Sequence, residues 1–205
     1  MLQRKWLELM NAFELENNEN EIKKIVKAYE EKHRNYHNLN HIKDCLEKCQ
    51  LNEETRSNKE LKLAIWYHDI VYNTFRKDNE EKSAQSATEF LGRQNVKQYS
   101  IIRVRNLIMA TLHNKIPNNE EEAYMMDIDI SILGSHTESY VQYTEKIRAE
   151  YYLVPWFLYK KKRIEILEKF LAKKNLYFTE YFKSRLELAA RKNIENEIVK
   201  LKSKT

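Results

Sequence analysis

The stretch LAIWYHDIVYN, residues 63–73, decides how the chain is read. Leu63, Ala64, Ile65, Trp66, Ile70 and Val71 make it the buried side of a helix, yet His68 and Asp69 stand adjacent within it. Buried ionisable groups need partners, because an unpaired charge in an apolar setting costs several kcal/mol or changes its protonation. Adjacent residues on a helix point about 100° apart, so the two are not expected to face each other. A metal ion between this helix and its neighbours can take a ligand from each, and the remaining ligands then come from elsewhere in the chain.

The rest of the composition favours a helical protein. The chain has 205 residues, with only 2 Gly and 2 Pro, and is rich in Leu, Ile, Lys and Glu. These residues form helices well, and chain-reversing residues are scarce. Hydrophobic residues make up 42% and charged residues 33%, a balance that suits a folded chain rather than a disordered one. No apolar run approaches the length of a membrane span, and no membrane partner is expected. The N-terminal MLQRKWLELMNAF, interrupted by Glu8 and Asn11, does not read as a secretory signal. Cys45 and Cys49 are four apart, which is not the spacing of a zinc knuckle or redox motif. They read as ordinary reduced thiols, which points to a cytoplasmic location. The net charge of +5 is mild. The densest basic run, YKKKR at 159–163, reads as an exposed helix start or a phosphate contact, and no nucleic-acid motif accompanies it.

Periodicity and caps divide the chain into helices. Trp6, Met10 and Phe13 share a face, as do Ile22, Ile25, Val26 and Tyr29. A third helix is expected from Leu39 to Cys49. Capping-box spacing at Ser57/Glu60, Asp78/Glu81, Asn118/Glu121 and Ser135/Glu138 predicts four further starts. Gly92 is expected near the end of the second of these, and another helix should run from Tyr99 to His113. The remainder predicts helices near 160–173 and 179–202. No repeat or linker interrupts the chain, so one domain over residues 1–205 is expected. Its core is expected at about 30–135, followed by C-terminal helices at about 137–202.

The histidines and aspartates narrow the chemistry. His37 and His41 in YHNLNHI are one helical turn apart. His113 closes an apolar helix, and Asp127 and Asp129 lie in MMDIDISILG. Residues two apart on a helix point about 200° apart, so only one of those aspartates faces a given site. Asp129 is expected to point inward, and Asp127 to support it or cap a helix. His33 extends the 37/41 face but lies in the polar EKHRN and reads as structural. A lone histidine is usually a hydrogen-bonded structural residue. The joint set His41, His68, Asp69 and Asp129, all in apolar stretches, reads instead as a mixed nitrogen–oxygen shell. Such a shell suits Mn, Fe, Co, Ni or Mg better than a structural thiolate zinc site. Tyr36, Tyr67 and Tyr72 flank these positions and read as packing with a polar tip.

This order of His, His-Asp and Asp resembles the HD-domain superfamily of metal-dependent phosphohydrolases. The likeness is closest to an uncharacterised bacterial branch of HD-type hydrolases. It is carried by YHNLNHI, AIWYHDIVYN, DNEEKSA, LIMATLH, DIDISILG and IRAEY, and continues through LYFTEYF and AARKNIENE. It implies an all-α bundle in a single domain, with the metal near its centre. By position it assigns His41, His68, Asp69 and Asp129 as ligands of a divalent ion (Mn, Mg, Co, Ni, Fe or Zn). His113 aligns with the additional histidine of members that hold two ions, and His37 is a further candidate ligand. The expanded histidine set of the cyclic-dinucleotide phosphodiesterase branch is missing here. The implied activity is hydrolysis of a phosphate ester or anhydride in a small phosphorylated molecule such as a nucleotide. Asp69 would orient water and Glu81 move a proton. Lys115 and Arg148 would meet substrate phosphate. Two alternatives stand beside this reading: an HD-type di-iron oxygenase, which needs His37 and His113, and a non-catalytic helical module that binds metal or ligand.

Overall fold

A computed structural model describes residues 2–16 and 18–203. All regular structure among the described residues is helical. Ten α-helices run in order: α1 Leu2–Ala12, α2 Glu19–Tyr29, α3 Leu39–Leu51, α4 Lys59–Tyr67, α5 Asn79–Arg93, α6 Gln98–Ala110, α7 Glu120–Asp129, α8 Thr137–Glu150, α9 Trp156–Leu171 and α10 Glu180–Ser203. A short 3₁₀ turn, Ile130–Gly134, lies between α7 and α8. The all-α class is as the composition implies. The chain forms two compact units, Met1–Ile128 and Asp129–Thr205, with the division falling on the last residue of α7.

In the first unit α4 is the hub and packs against α1, α3, α5 and α6. Its sequence explains this position. Glu60, Leu61, Leu63, Ala64, Ile65, Trp66 and Tyr67 are all buried, and a helix apolar on every side belongs at the centre of its neighbours. Trp66 meets Trp6 of α1 edge-on at 5.6 Å between ring centroids. The one acid among these residues, Glu60, accepts a 2.7 Å hydrogen bond from Ser100 Oγ of α6.

The helix starts are set by asparagine more than by the expected capping boxes. α4 is capped by Asn58, whose side chain accepts from Leu61 N, and not by Ser57. α7 uses Asn119 and Glu122 in place of Asn118 and Glu121. Asn119 Oδ1 accepts from Glu122 N, while Glu122 Oε2 accepts from Asn118 N. Glu121 is instead paired with Arg103 of α6. Asp78 occupies the N-cap of α5 but makes no cap bond, because the Arg76 guanidinium grips both its oxygens at 2.7 and 2.6 Å. α8 begins after His136, without a side-chain cap from Ser135. At the end of α5 the left-handed residue is Asn95, at φ 54°, rather than Gly92. Asparagine tolerates that conformation and serves as a helix stop much as glycine does. α6 ends at Ala110, so His113 lies beyond the helix, at φ 51°.

In the second unit α10 packs against α9 and the 3₁₀ turn. The basic run 159–163 lies within α9 and does not start it, and its Tyr159 and Arg163 are buried. Arg163 donates to Glu197 of α10 at 2.8 Å from Nε and 3.1 Å from Nη2. At Gly134 the 3₁₀ turn comes close to α10. A Cβ there would lie 2.5 Å from Leu186 Cβ and 2.8 Å from the Leu186 carbonyl oxygen. Backbone cannot yield as a side chain does, so Gly134→Ala is expected to destabilise the protein by about 1–3 kcal/mol, the scale of overpacking a filled core. Urea denaturation checks this, with a lowered midpoint at unchanged slope as the expected outcome.

Candidate metal centre

The opening stretch does not continue as a helix through His68 and Asp69. α4 ends at Tyr67, and His68 is its C-cap, still helical at φ −56°, ψ −35°, with its N–H bonded to Ala64 O. In a continuing helix Asp69 N–H would bond to Ile65 O. Both groups have other partners. Asp69 N–H donates to Tyr29 Oη at 3.2 Å, and Ile65 O meets His68 Nδ1 at 2.9 Å. Tyr29 Oη in turn donates to Trp66 O at 3.1 Å. Burial, and after it the nearby Asp69 carboxylate, pushes the Tyr29 phenol well above its usual range, so it keeps its proton as a donor.

This local exchange aims the histidine. A carbonyl can only accept, so the Ile65 contact places a proton on His68 Nδ1 and leaves the Nε2 lone pair facing away from the helix. A hydrogen bond of this kind to the second ring nitrogen fixes the tautomer and orientation of metal-binding histidines. His41, in the first turn of α3, meets it with its own Nε2 at 3.1 Å. Asp69 Oδ2 lies 3.0 Å from His68 Nε2 and 3.8 Å from His41 Nε2.

Asp129, the last residue of α7, completes the group. One ligand atom each from His41, His68 and Asp129 lies within 4.8 Å of the other two, a cluster that could hold a metal ion. Of the two aspartates it is Asp129 that joins the histidines, while Asp127 is fully buried. The donor set fits a divalent cation. Lone pairs converging on one point repel unless a proton or a cation lies among them. Two nitrogens bound to one ion at about 2.1 Å and near a right angle are about 3 Å apart, as the two imidazoles are. The mixed nitrogen–oxygen composition is that of the borderline and harder divalent metals. The imidazoles are sealed, with side chains 3% and 1% exposed, whereas Asp69 keeps 16%, so solvent reaches the cluster on the carboxylate side.

Aromatic rings pack around His41. The Tyr36 ring lies 4.9 Å from that of His41, and the His37 ring 5.9 Å from it. His37 stacks on Tyr72 at 4.3 Å. His33 stacks on the same Tyr72 at 6.3 Å, with its Nε2 3.1 Å from the Tyr72 carbonyl. His37 is thus adjacent to the cluster, packed between aromatic rings. Tyr67 is remote in role, since its hydroxyl donates to Glu21 at 2.9 Å.

The other expected site residues have these surroundings. Glu81 is exposed on α5, and both its oxygens are held by Arg105 of α6 at 2.7 and 2.9 Å. Lys115 is exposed on the loop after α6 and lines a shallow pocket with Asn106, Met109 and Glu122. Arg148, in the second unit, donates to Tyr151 O at 2.6 Å and lies over the Tyr159 and Trp156 rings at 4.8 and 5.7 Å. No disulfide joins Cys45 to Cys49, and Cys45 Sγ lies 3.7 Å from His41 Nδ1.

Sequence reasoning missed Arg34. It lies in the polar segment between α2 and α3, yet its side chain is only 1% exposed. A lone arginine among charged residues carries no sequence signal of burial.

No family model, curated protein or solved structure matches the chain. Among the described residues no helix is long and apolar enough to cross a membrane.

Proposed function

We propose that the chain is a metal-dependent phosphohydrolase of the HD type, acting on a phosphate ester or anhydride of a small molecule such as a nucleotide. The observation that carries this reading is the convergence of His41, His68 and Asp129, with Asp69 beside His68, in the order that the resemblance implies. His41, His68 and Asp129 would hold a divalent ion, which would supply Lewis acidity toward water and a phosphoryl oxygen. The chain's own residues do the rest. The His68 ring is fixed by Ile65 O and cannot turn away. Asp69 is partly open to solvent and anchored through its backbone N–H. It can hold the attacking water. The Tyr36 ring packs on the His41 imidazole, which is sealed from solvent, and electrostatic contacts are stronger in such a setting.

The test is a screen of nucleotides and other phosphate esters and anhydrides against the protein loaded in turn with Mn²⁺, Mg²⁺, Co²⁺ and Ni²⁺. On the best substrate, Asp69→Ala is expected to lower kcat by at least about 10²-fold, the scale of one strong transition-state contact. Lys115→Ala is expected to raise KM with kcat retained if the lysine binds substrate phosphate equally in ground and transition states. Full turnover by a folded Asp69→Ala protein removes the catalytic role. Wild-type protein that binds metal and hydrolyses none of these compounds leaves the binding-module or oxygenase reading in its place.

A further inference from the structure

We propose that Arg34 is the positioning residue of the candidate centre: it locks the His68–Asp69 turn to the segment leading into His41, and so sets how tightly the centre holds its ion. This rests on the metal-centre reading above. Arg34 Nη1 donates to the carbonyl oxygen of Asp69, and Nη2 donates to Ile70 O at 2.9 Å. Nη1 also reaches His37 O at 3.4 Å, and Nε donates to Glu31 at 3.0 Å. The guanidinium lies over two rings, Tyr29 at 5.1 Å and Tyr72 at 5.5 Å.

The pattern of partners argues for positioning rather than simple filling. Buried backbone carbonyls outside a helix need donors from elsewhere. In the turn after α4 two of them, Asp69 O and Ile70 O, are taken by one planar fork, which fixes the backbone beside the Asp69 carboxylate. The same fork touches His37, four residues before His41. Its covering ring, Tyr72, is the ring on which His37 stacks. Its other covering ring, Tyr29, bears the hydroxyl that takes Asp69 N–H. One buried side chain therefore joins the two segments that must meet for the imidazoles to stand 3.1 Å apart. Only arginine has five donors in a rigid plane; lysine keeps the charge but not the fork or the ring stacking.

Arg34→Lys tests this, with Mn²⁺ affinity by calorimetry, the visible spectrum of bound Co²⁺, and the melting temperature of the metal-free protein. Affinity is expected to fall about 10–100-fold, the range seen when a group that orients metal ligands is lost. The Co²⁺ spectrum is expected to change, because the ligands no longer hold the same angles. A purely structural role would lower the metal-free melting temperature and leave affinity and spectrum as in the wild type, which overturns the proposal. Glu31→Gln is the second variant. It alters only the half-exposed anchor of Nε, and about threefold weaker Mn²⁺ binding is expected from weakening one charge-assisted bond. If Arg34→Lys does not fold, Glu31→Gln decides alone, and wild-type affinity in it overturns the proposal. Wild-type protein that binds neither Mn²⁺ nor Co²⁺ overturns the metal centre itself, and this inference with it; metal binding unaltered in both variants overturns only the role of Arg34.

Discussion

His68→Ala is expected to abolish the rise in melting temperature that a divalent ion gives the wild-type protein. A ligand that binds only the native state stabilises it by about 4 kcal/mol at a thousand times its Kd. For a chain of this length that corresponds to a rise of roughly 10 °C. His68 is the position where the loss should be complete. Its Nε2 is the nitrogen closest to both His41 Nε2 and Asp69 Oδ2, at 3.1 and 3.0 Å. Without it the remaining donors no longer surround one point. The variant should also melt lower than the metal-free wild type, because Ile65 O loses its partner and a 1%-exposed ring leaves a cavity. The two effects separate in one experiment: thermal unfolding of chelator-stripped protein, with and without added Mn²⁺, Co²⁺ or Zn²⁺. In the wild type, chelation should lower the melting temperature and readdition restore it. A stripped wild-type protein that responds to none of these ions, nor to Mg²⁺, Ni²⁺ or Fe²⁺, would refute the metal centre and leave a hydrogen-bonded histidine cluster.

The candidate cluster is legible in sequence to the extent that its residues sit in apolar runs. His41, His68 and Asp129 each stand where a polar group is costly, and that cost is what marks them. The helical angle between positions two apart says that only one of Asp127 and Asp129 faces the site, and the choice of Asp129 is what the resemblance implies. The end of α4 was not legible. Ile70 and Val71 continue its apolar pattern, so periodicity extends the helix past its real end. What ends it is tertiary: Tyr29, forty positions earlier, takes the Asp69 N–H, and Arg34 takes two carbonyls. Long-range partners of this kind leave no local signature. The caps failed for a different reason. Neighbouring Ser57 and Asn58, or Asn118 and Asn119, are nearly equal as N-caps, and the choice between them is made by packing. Glu121 meets Arg103, which leaves Glu122 to complete the cap of α7. Arg76 defeats the expected box at Asp78 in the same way.

Glu197→Ala in the second unit is expected to cost about 3–5 kcal/mol, the penalty for leaving one member of a buried ion pair without its partner. Both charged groups are sealed, with side chains 9% and 7% exposed. Glu197 accepts from Arg163 through both Nε and Nη2, and from the hydroxyl of Tyr140. Burial, and after it the Glu197 carboxylate, pushes the Tyr140 phenol far above its usual range, so it stays protonated as a donor. Removing the carboxylate strands a guanidinium and a hydroxyl together. Arg163 retains the face of Tyr143, 5.3 Å away, and a 3.4 Å bond to its hydroxyl. The double variant Arg163→Met/Glu197→Leu should recover most of the loss. It removes both charges, fills similar volume, and trades desolvation for packing, although Tyr140 still lacks its acceptor. Urea unfolding followed by helical circular dichroism measures all three proteins. A Glu197→Ala variant within 1 kcal/mol of the wild type would mean that water reaches the pair and that the ionic contact between α9 and α10 contributes little. A double variant as unstable as the single one would mean that the shape of the pair matters more than its charge.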